Sequence, residues 1–213
     1  FYCAMVEELD YYVGRLLKYL DVTEDPRWPG HSLRENTYLI FTSDNGGLLG
    51  VTNNAPLRVG KGSAYEGGVR VPLIICWPGV TKAGLVEATP AITPDLYPTV
   101  LELAGVKPLQ SLVDGISLAP LLKSGAKPDR DAIFWHYPHY HPGGATPYSA
   151  IRSGDFRLVH FYEDGRDELY DLANDVSETK DLAVSQPERA KALRTRLDAW
   201  LKSVDAQLPT KNP

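Results

Sequence analysis

The sequence predicts an α/β protein in which part of a helix-flanked sheet is followed by a small antiparallel sheet with a helix packed on it. Over the first 127 residues, helical apolar spacing alternates with short unbroken apolar runs, the pattern of an α/β layer. After Gly125-Ala126-Lys127-Pro128 the pattern changes to closely spaced aromatic and β-branched runs, which favour an antiparallel sheet. An amphipathic stretch beginning near Pro187 supplies the last helix. The expected division is therefore 1–127 for the α/β part and 128–213 for a small C-terminal part.

Each element has its own signal. Met5, Leu9, Val13, Leu16 and Leu20 recur at helical spacing and predict an amphipathic helix packed on the sheet. Pro26, Pro29 and Gly30 mark a surface loop up to Glu35,. Tyr38-Leu39-Ile40-Phe41-Thr42 is too apolar for a strand with one wet face and predicts a buried strand of a parallel sheet,. Leu73-Ile74-Ile75-Cys76-Trp77 predicts a second buried strand, closed by the turn Pro78-Gly79,. Thr93-Pro94 opens a helix whose apolar stripe is Leu96, Val100 and Leu103, with Pro98 bending it or shifting its start,. Ile133–Tyr137, Tyr148–Arg152 and Phe156–Tyr162 predict short strands, the last two joined by Ser153-Gly154-Asp155,. Leu193, Leu197, Trp200 and Leu201 give the final helix a face to lay on them.

Composition narrows the function. With 213 residues, 43% of them hydrophobic, the chain can bury a core,. A net charge of −5 argues against a general polyanion-binding surface, so an anionic ligand must be gripped by local positive charge,. No run approaches eighteen apolar residues, which excludes a helical membrane span,. Two cysteines, Cys3 and Cys76, give no disulfide framework,.

Two neighbouring segments carry the chemistry. The apolar run ends in Ser43-Asp44-Asn45-Gly46-Gly47, at the carboxyl end of a strand, where open sheets bind ligands. A carboxylate beside an amide oxygen suits a hard, oxygen-preferring cation such as Ca²⁺ or Mg²⁺. The plainer alternative is a strand-to-loop turn. Downstream, Gly60-Lys61-Gly62 leaves room for a tetrahedral anion beside an ammonium group,. The glycine spacing is not that of a Walker loop. Glu66 and Arg70 are expected to be a partly buried pair holding this loop,. A third cluster, His136-Tyr137-Pro138-His139-Tyr140-His141, places three histidines in six residues. It reads as a binding loop at the rim of a site, with His136 and His139 meeting a sugar, or as a second metal site, or as an ordinary solvent-facing loop.

These segments, in this order, resemble the C-terminal half of a type I sulfatase, a formylglycine-dependent member of the alkaline phosphatase superfamily. The resemblance rests on Leu9-Asp10 and Val13-Gly14, Thr42–Gly47, Pro56–Pro72, Thr93-Pro94-Asp95-Leu96-Tyr97-Pro98-Thr99, Asp114-Gly115 and Glu168-Leu169-Tyr170-Asp171-Leu172. It implies an alkaline-phosphatase-like sheet, Asp44 and Asn45 as ligands of calcium, and Lys61 as the catalytic residue that holds the sulfate. It implies a sulfated carbohydrate or aryl sulfate as substrate and a periplasmic, secreted or lysosomal-type compartment. The family's nucleophile, a formylglycine made in a Cys/Ser-x-Pro-x-Arg motif, lies upstream of the segments matched here. No nucleophile is assigned in this chain: Cys3 does not fit, and Cys76-Trp77-Pro78-Gly79-Val80 has valine where arginine is needed. The chain is expected to be a C-terminal portion, inactive without its upstream half. The alternatives are a phosphatase or phosphodiesterase of the same superfamily and a non-catalytic module that binds an ion or a glycan.

Overall fold

In chain order the elements are α1 (Tyr2–Val22), β1 (Leu39–Thr42), α2 (Glu66–Val69), β2 (Leu73–Cys76), α3 (Leu96–Leu103), α4 (Ala119–Ser124), β3 (Ile133–Tyr137), β4 (Tyr148–Ser153), β5 (Phe156–Phe161), β6 (Asp167–Asp171) and α5 (Pro187–Ser203). The structure, a computed structural model, describes residues 1–107 and 113–210. The chain divides into two units, one formed by Phe1–Thr42 with Pro72–Asp129 and the other by Ser43–Val71 with Arg130–Pro213.

In the first unit, α1 forms where the apolar spacing predicts it. Among the described residues, its stripe does not pack on the sheet. Leu20 is its buried residue, while Met5, Leu9 and Leu16 are exposed. The turn that follows is tied by Asp25, whose carboxylate accepts hydrogen bonds from the backbone and guanidinium of Arg27 and from the Asn36 amide. Those donors hold its carboxyl well below the usual carboxylate range. β1 and β2 also form where expected, but they pair antiparallel, with Leu39 opposite Cys76 and Thr42 opposite Leu73. Nor are they fully buried, since Ile74 retains 61% of its exposure and Phe41 lies open as well. An apolar run selects extended backbone, whereas direction depends on the connection, and one this long permits either sense.

Pro98 does shift the start of its helix. A 3₁₀ turn at Thr93–Asp95 precedes α3, and Pro98 falls in the first turn, where its missing N–H has no intrahelical partner to lose,. Asp95 clamps this start from within, accepting the amides of Ile92 and Ile116 at 2.9 Å each. The Thr99 hydroxyl donates to the Asp95 carbonyl and accepts the Leu118 amide.

The second unit is built on the antiparallel sheet β3-β4-β5-β6. Alternation gives the sheet two different faces. Ile151, Leu158 and Leu169 meet Ala190, Leu193, Leu197 and Leu201 of α5, and Phe134 stacks on Trp200 at 4.7 Å. On the opposite face, Tyr148, Ala150, Val159 and Phe161 bury Ala64, with Tyr65, Trp135 and Tyr137 packed around them. The 60–66 loop is thereby seated on the face away from α5. β6 is a strand the sequence did not reveal, because Asp167-Glu168-Leu169-Tyr170-Asp171 is too acidic to look extended. It forms because it pairs with β5 and buries Leu169 and Tyr170. Among the described residues, no helix is long and apolar enough to cross a membrane.

Candidate active site

Asp44 and Asn45 lie in the bend that follows β1, and Lys61 lies on the loop before α2. Backbone hydrogen bonds join these segments. The Gly46 amide donates to the Gly68 carbonyl at 3.0 Å, and the Lys61 amide donates to the Gly47 carbonyl at 3.0 Å. Asn54 bridges the same region, its side-chain amide donating to the carbonyls of Gly47 at 2.8 Å and Val59 at 2.9 Å. Val59 itself has φ +59°, the left-handed region that strongly disfavours a β-branched residue. Gly46 allows the close approach, because a Cβ there would sit 1.7 Å from the Gly67 carbonyl oxygen.

The two side chains proposed from sequence for ion and anion binding, Asp44 and Lys61, are exposed. Among the described residues, neither has a hydrogen bond or ion pair, and no group of three or more His, Cys, Asp or Glu side chains is placed to hold a metal ion. A hard cation takes six to eight oxygen ligands as Ca²⁺ or six as Mg²⁺. Asp44 and Asn45 fit such an ion in donor chemistry and would supply part of that set.

The histidine cluster separates into three different environments. His136, on β3, points to the α5 face. Its Nδ1 is 2.7 Å from the Ser149 hydroxyl and its Nε2 is 3.0 Å from the Gln207 carbonyl, so both nitrogens are engaged. It is not brought to the Lys61 loop. His139 is exposed and packs edge-on against Tyr137 at 5.6 Å. His141 is the histidine that meets the Lys61 loop: a Cβ on Gly62, where φ is +77°, would fall 2.1 Å from its Nδ1. The same nitrogen accepts the Gly143 amide at 2.8 Å. His160, a lone histidine in the sequence, contacts Asp167, which Arg194 also holds.

Beneath the Lys61 loop lies a charged cluster. Arg157, fully buried on β5, donates to Glu66 Oε1 at 2.8 Å and to the Ala64 carbonyl, and its guanidinium is 5.0 Å from the Trp135 ring. It also lies 3.6 Å from Glu178 Oε1. Glu178 Oε2 accepts the Glu66 amide at 2.6 Å. The expected Glu66–Arg70 pair exists at 3.4 Å, but Arg157 is the closer and better buried partner. Burial pushes the Glu178 carboxyl up to about 7, with Arg157 opposing that rise. Alongside, Tyr65 and Tyr170 both donate to Glu168 Oε2 at 2.8 Å, and Arg58 lies 3.8 Å from the Tyr65 ring centre. Burial, reinforced by the Glu168 carboxylate, pushes the Tyr65 hydroxyl up to about 12.

Asn54, Arg157 and Glu178 were not found from sequence. Asn54 sits in a run that reads as a plain turn, and a buried arginine on an aromatic strand has no local signature. Ser185-Gln186-Pro187-Glu188-Arg189 also satisfies the letters Cys/Ser-x-Pro-x-Arg. Pro187 opens α5 there, the Ser185 hydroxyl donates to the Leu182 carbonyl, and Arg189 covers the Phe156 ring. These contacts make it a helix start.

Comparison with known proteins identifies the family and the fold. The family model described as "N-sulphoglucosamine sulphohydrolase, C-terminal" matches residues 59–207, and the model described as "Sulfatase" matches residues 1–106. A sulfatase of Formosa agariphila is 43% identical over 94% of this chain, and an N-acetylglucosamine-6-O-sulfatase of Bacteroides thetaiotaomicron is 34% identical over 85% of it. The matches span 39% and 31% of those relatives, so the chain covers well under half the length of either. A solved structure of a protein bound to its substrate D-glucosamine-2-N,6-O-disulfate superposes with a TM-score of 0.77 at 29% identity, over 97% of this chain and 41% of that one. The structural neighbours of this chain share the alkaline-phosphatase-like fold expected from sequence. Motif order, fold and both family models agree that the chain belongs to the sulfatase family.

Proposed function

We propose that the protein of which this chain forms part hydrolyses sulfate esters of a sulfated carbohydrate. The observation that carries the reading is the pair of backbone hydrogen bonds joining the Asp44-Asn45 segment to the Lys61 loop, Gly46 to Gly68 and Lys61 to Gly47. The names of the relatives support the carbohydrate, since one is an N-acetylglucosamine-6-O-sulfatase and a structural neighbour has a disulfated glucosamine as its substrate.

In this reading Asp44 and Asn45 hold Ca²⁺, or Mg²⁺ in its place. Bound there, the ion would neutralise negative charge on the sulfate oxygens. The Lys61 ammonium donates charge-assisted hydrogen bonds to the same oxygens, and its loop is already fixed by Asn54 and the glycine contacts, so little reorganisation accompanies the reaction. His139, exposed beside Tyr137, offers an aromatic edge and ring nitrogens to the sugar at the rim. His136, whose two ring nitrogens are engaged by Ser149 and the Gln207 carbonyl, is assigned a structural role in this reading. The formylglycine nucleophile belongs to the upstream part of the protein, and residues 1–213 alone turn over no substrate.

The test is release of sulfate from 6-O-sulfated glucosamine by the full-length protein, with 4-nitrophenyl sulfate and 4-nitrophenyl phosphate as comparisons. The sulfated sugar is expected to be the best substrate. Lys61→Ala is expected to lower turnover by about two to three orders of magnitude, the effect of losing one preorganised electrostatic donor. Near-normal turnover by that variant would reject the role of Lys61, and preferential hydrolysis of the phosphate would reject the sulfatase reading.

A further inference from the structure

The Lys61 loop is held from below by groups far away in sequence. α2 is a four-residue helix, and Tyr65 at its N-cap makes no side-chain cap. Its first amide, that of Glu66, is capped by the Glu178 carboxylate across 112 positions of sequence. Glu178 adopts φ +51°, a conformation a non-glycine residue holds only when its surroundings over-determine it. Here its backbone carbonyl accepts Arg58 Nη1 at 3.0 Å while its side chain reaches under the loop. Arg157 joins the same carboxylate to Glu66 and to the Ala64 carbonyl.

From Glu66 the chain of contacts runs directly to the candidate site. The Gly67 amide donates to the Arg58 carbonyl, and the Gly68 carbonyl accepts the Gly46 amide, one residue beyond Asn45. Through Ser63, whose amide donates to the Gly60 carbonyl, the same base leads to Lys61. The charged groups facing Glu178 are Arg157 on β5, Glu66 on α2 and Arg58 on the preceding loop.

We propose that Glu178 is a positioning residue: by capping the Glu66 amide and fixing the Arg157 guanidinium, it sets the geometry of the loops that carry Asp44, Asn45 and Lys61. The consequence for catalysis rests on the sulfatase reading above, while the mechanical claim does not. The sulfatase family match extends across Glu178, but its effect is exerted without contact with substrate.

Hydrogen–deuterium exchange in the full-length protein separates these two claims. Glu178→Ala is expected to speed exchange of the Gly46, Lys61 and Gly67 amides about tenfold, as for loss of one hydrogen bond to a buried charged group. Protection of the β3–β6 sheet and α5 is expected to stay unchanged. Glu178→Gln keeps an acceptor oxygen and is expected to preserve protection within about twofold. Unchanged exchange at those amides in Glu178→Ala overturns the proposal, as does a glutamine variant as open as the alanine one. If Glu178→Ala does not fold, Glu178→Asp, which withdraws the carboxylate by one methylene, is read by the same criteria. Turnover of the sulfated sugar is measured in parallel, with a fall in kcat larger than any rise in KM expected for Glu178→Ala and rescue expected for Glu178→Gln. Faster exchange in Glu178→Ala, together with a wild-type protein that releases no sulfate, would overturn the sulfatase reading and leave the positioning role standing.

Discussion

Replacing Arg157 with methionine tests the energetics of the charged base most directly. The substitution keeps an apolar stem against Trp135 and removes a guanidinium that hydrogen-bonds Glu66 and Ala64 and lies 3.6 Å from Glu178. Two carboxylates are then left buried, Glu66 at 2% exposure and Glu178 at 1%. Breaking a buried pair from one side destabilises by about 3–5 kcal/mol. The lower end applies here, because Arg70 at 3.4 Å and Arg152 at 3.9 Å remain beside Glu66. At roughly 2–4 °C per kcal/mol for a chain of this size, about 3 kcal/mol is a fall in Tm of about 6–12 °C. The assay is thermal unfolding followed by circular dichroism at pH 8 and at pH 5. Glu178, whose carboxyl burial already pushes up, loses the cation that opposed that rise, so the folded variant takes up a proton more readily than the unfolded one, stability rises as pH falls and the deficit shrinks at pH 5. A Tm change below about 2 °C at pH 8, or a larger deficit at pH 5, would refute the reasoning. A double variant, Glu66→Gln with Arg157→Met, is expected to recover part of the loss.

Three further outcomes follow from the geometry. In the otherwise unchanged protein, Glu178 has a folded-state pKa of about 7 against an ordinary 4.5. The folded form therefore retains a proton the unfolded form has lost, and this group's contribution to stability declines as pH rises from about 4.5 to 7, by at most about 3 kcal/mol at 1.36 kcal/mol per pH unit. Denaturant melts of Glu178→Gln should lack that decline, and an identical slope in both proteins would contradict it. Gly46→Ala places a methyl 1.7 Å from the Gly67 carbonyl oxygen, so the Gly46–Gly68 hydrogen bond must break. It is expected to destabilise by about 1–3 kcal/mol and to lower kcat of the full-length protein, with normal stability and activity as the contrary result. His136→Ala should cost about 1 kcal/mol through its lost hydrogen bonds and leave KM within about threefold, whereas His139→Ala should raise KM for a sulfated sugar. The reverse pattern in steady-state kinetics would place the sugar on the wrong histidine.

What could be read from the sequence was local. The apolar spacing of α1, the proline-shifted start of α3 and the alternating strands β3 to β5 are each set by a few neighbouring residues, and each forms where its pattern lies. The motif order from Ser43-Asp44-Asn45 to Glu66-Gly67-Gly68 was also legible, because glycines and a charged residue at fixed offsets leave a one-dimensional trace. β6 was missed because its acidic residues disguise a strand that tertiary pairing stabilises.

By itself, the sequence determined α1, α3, α5 and the strands β1 to β5, the family, and the chemical type of Asp44, Asn45 and Lys61. Only the tertiary structure decided that Ser43–Val71 groups with the C-terminal sheet, that β1 and β2 run antiparallel, that His141 rather than His136 meets the Lys61 loop, and that Arg157 and Glu178 support it. The physical reason is range. Helix caps, turns and apolar periodicity depend on residues a few positions apart, whereas strand direction, the face a side chain occupies and the partner of a buried charge depend on segments joined a hundred residues away. Their free energy comes from desolvation and hydrogen bonding between groups whose proximity exists only in the folded chain.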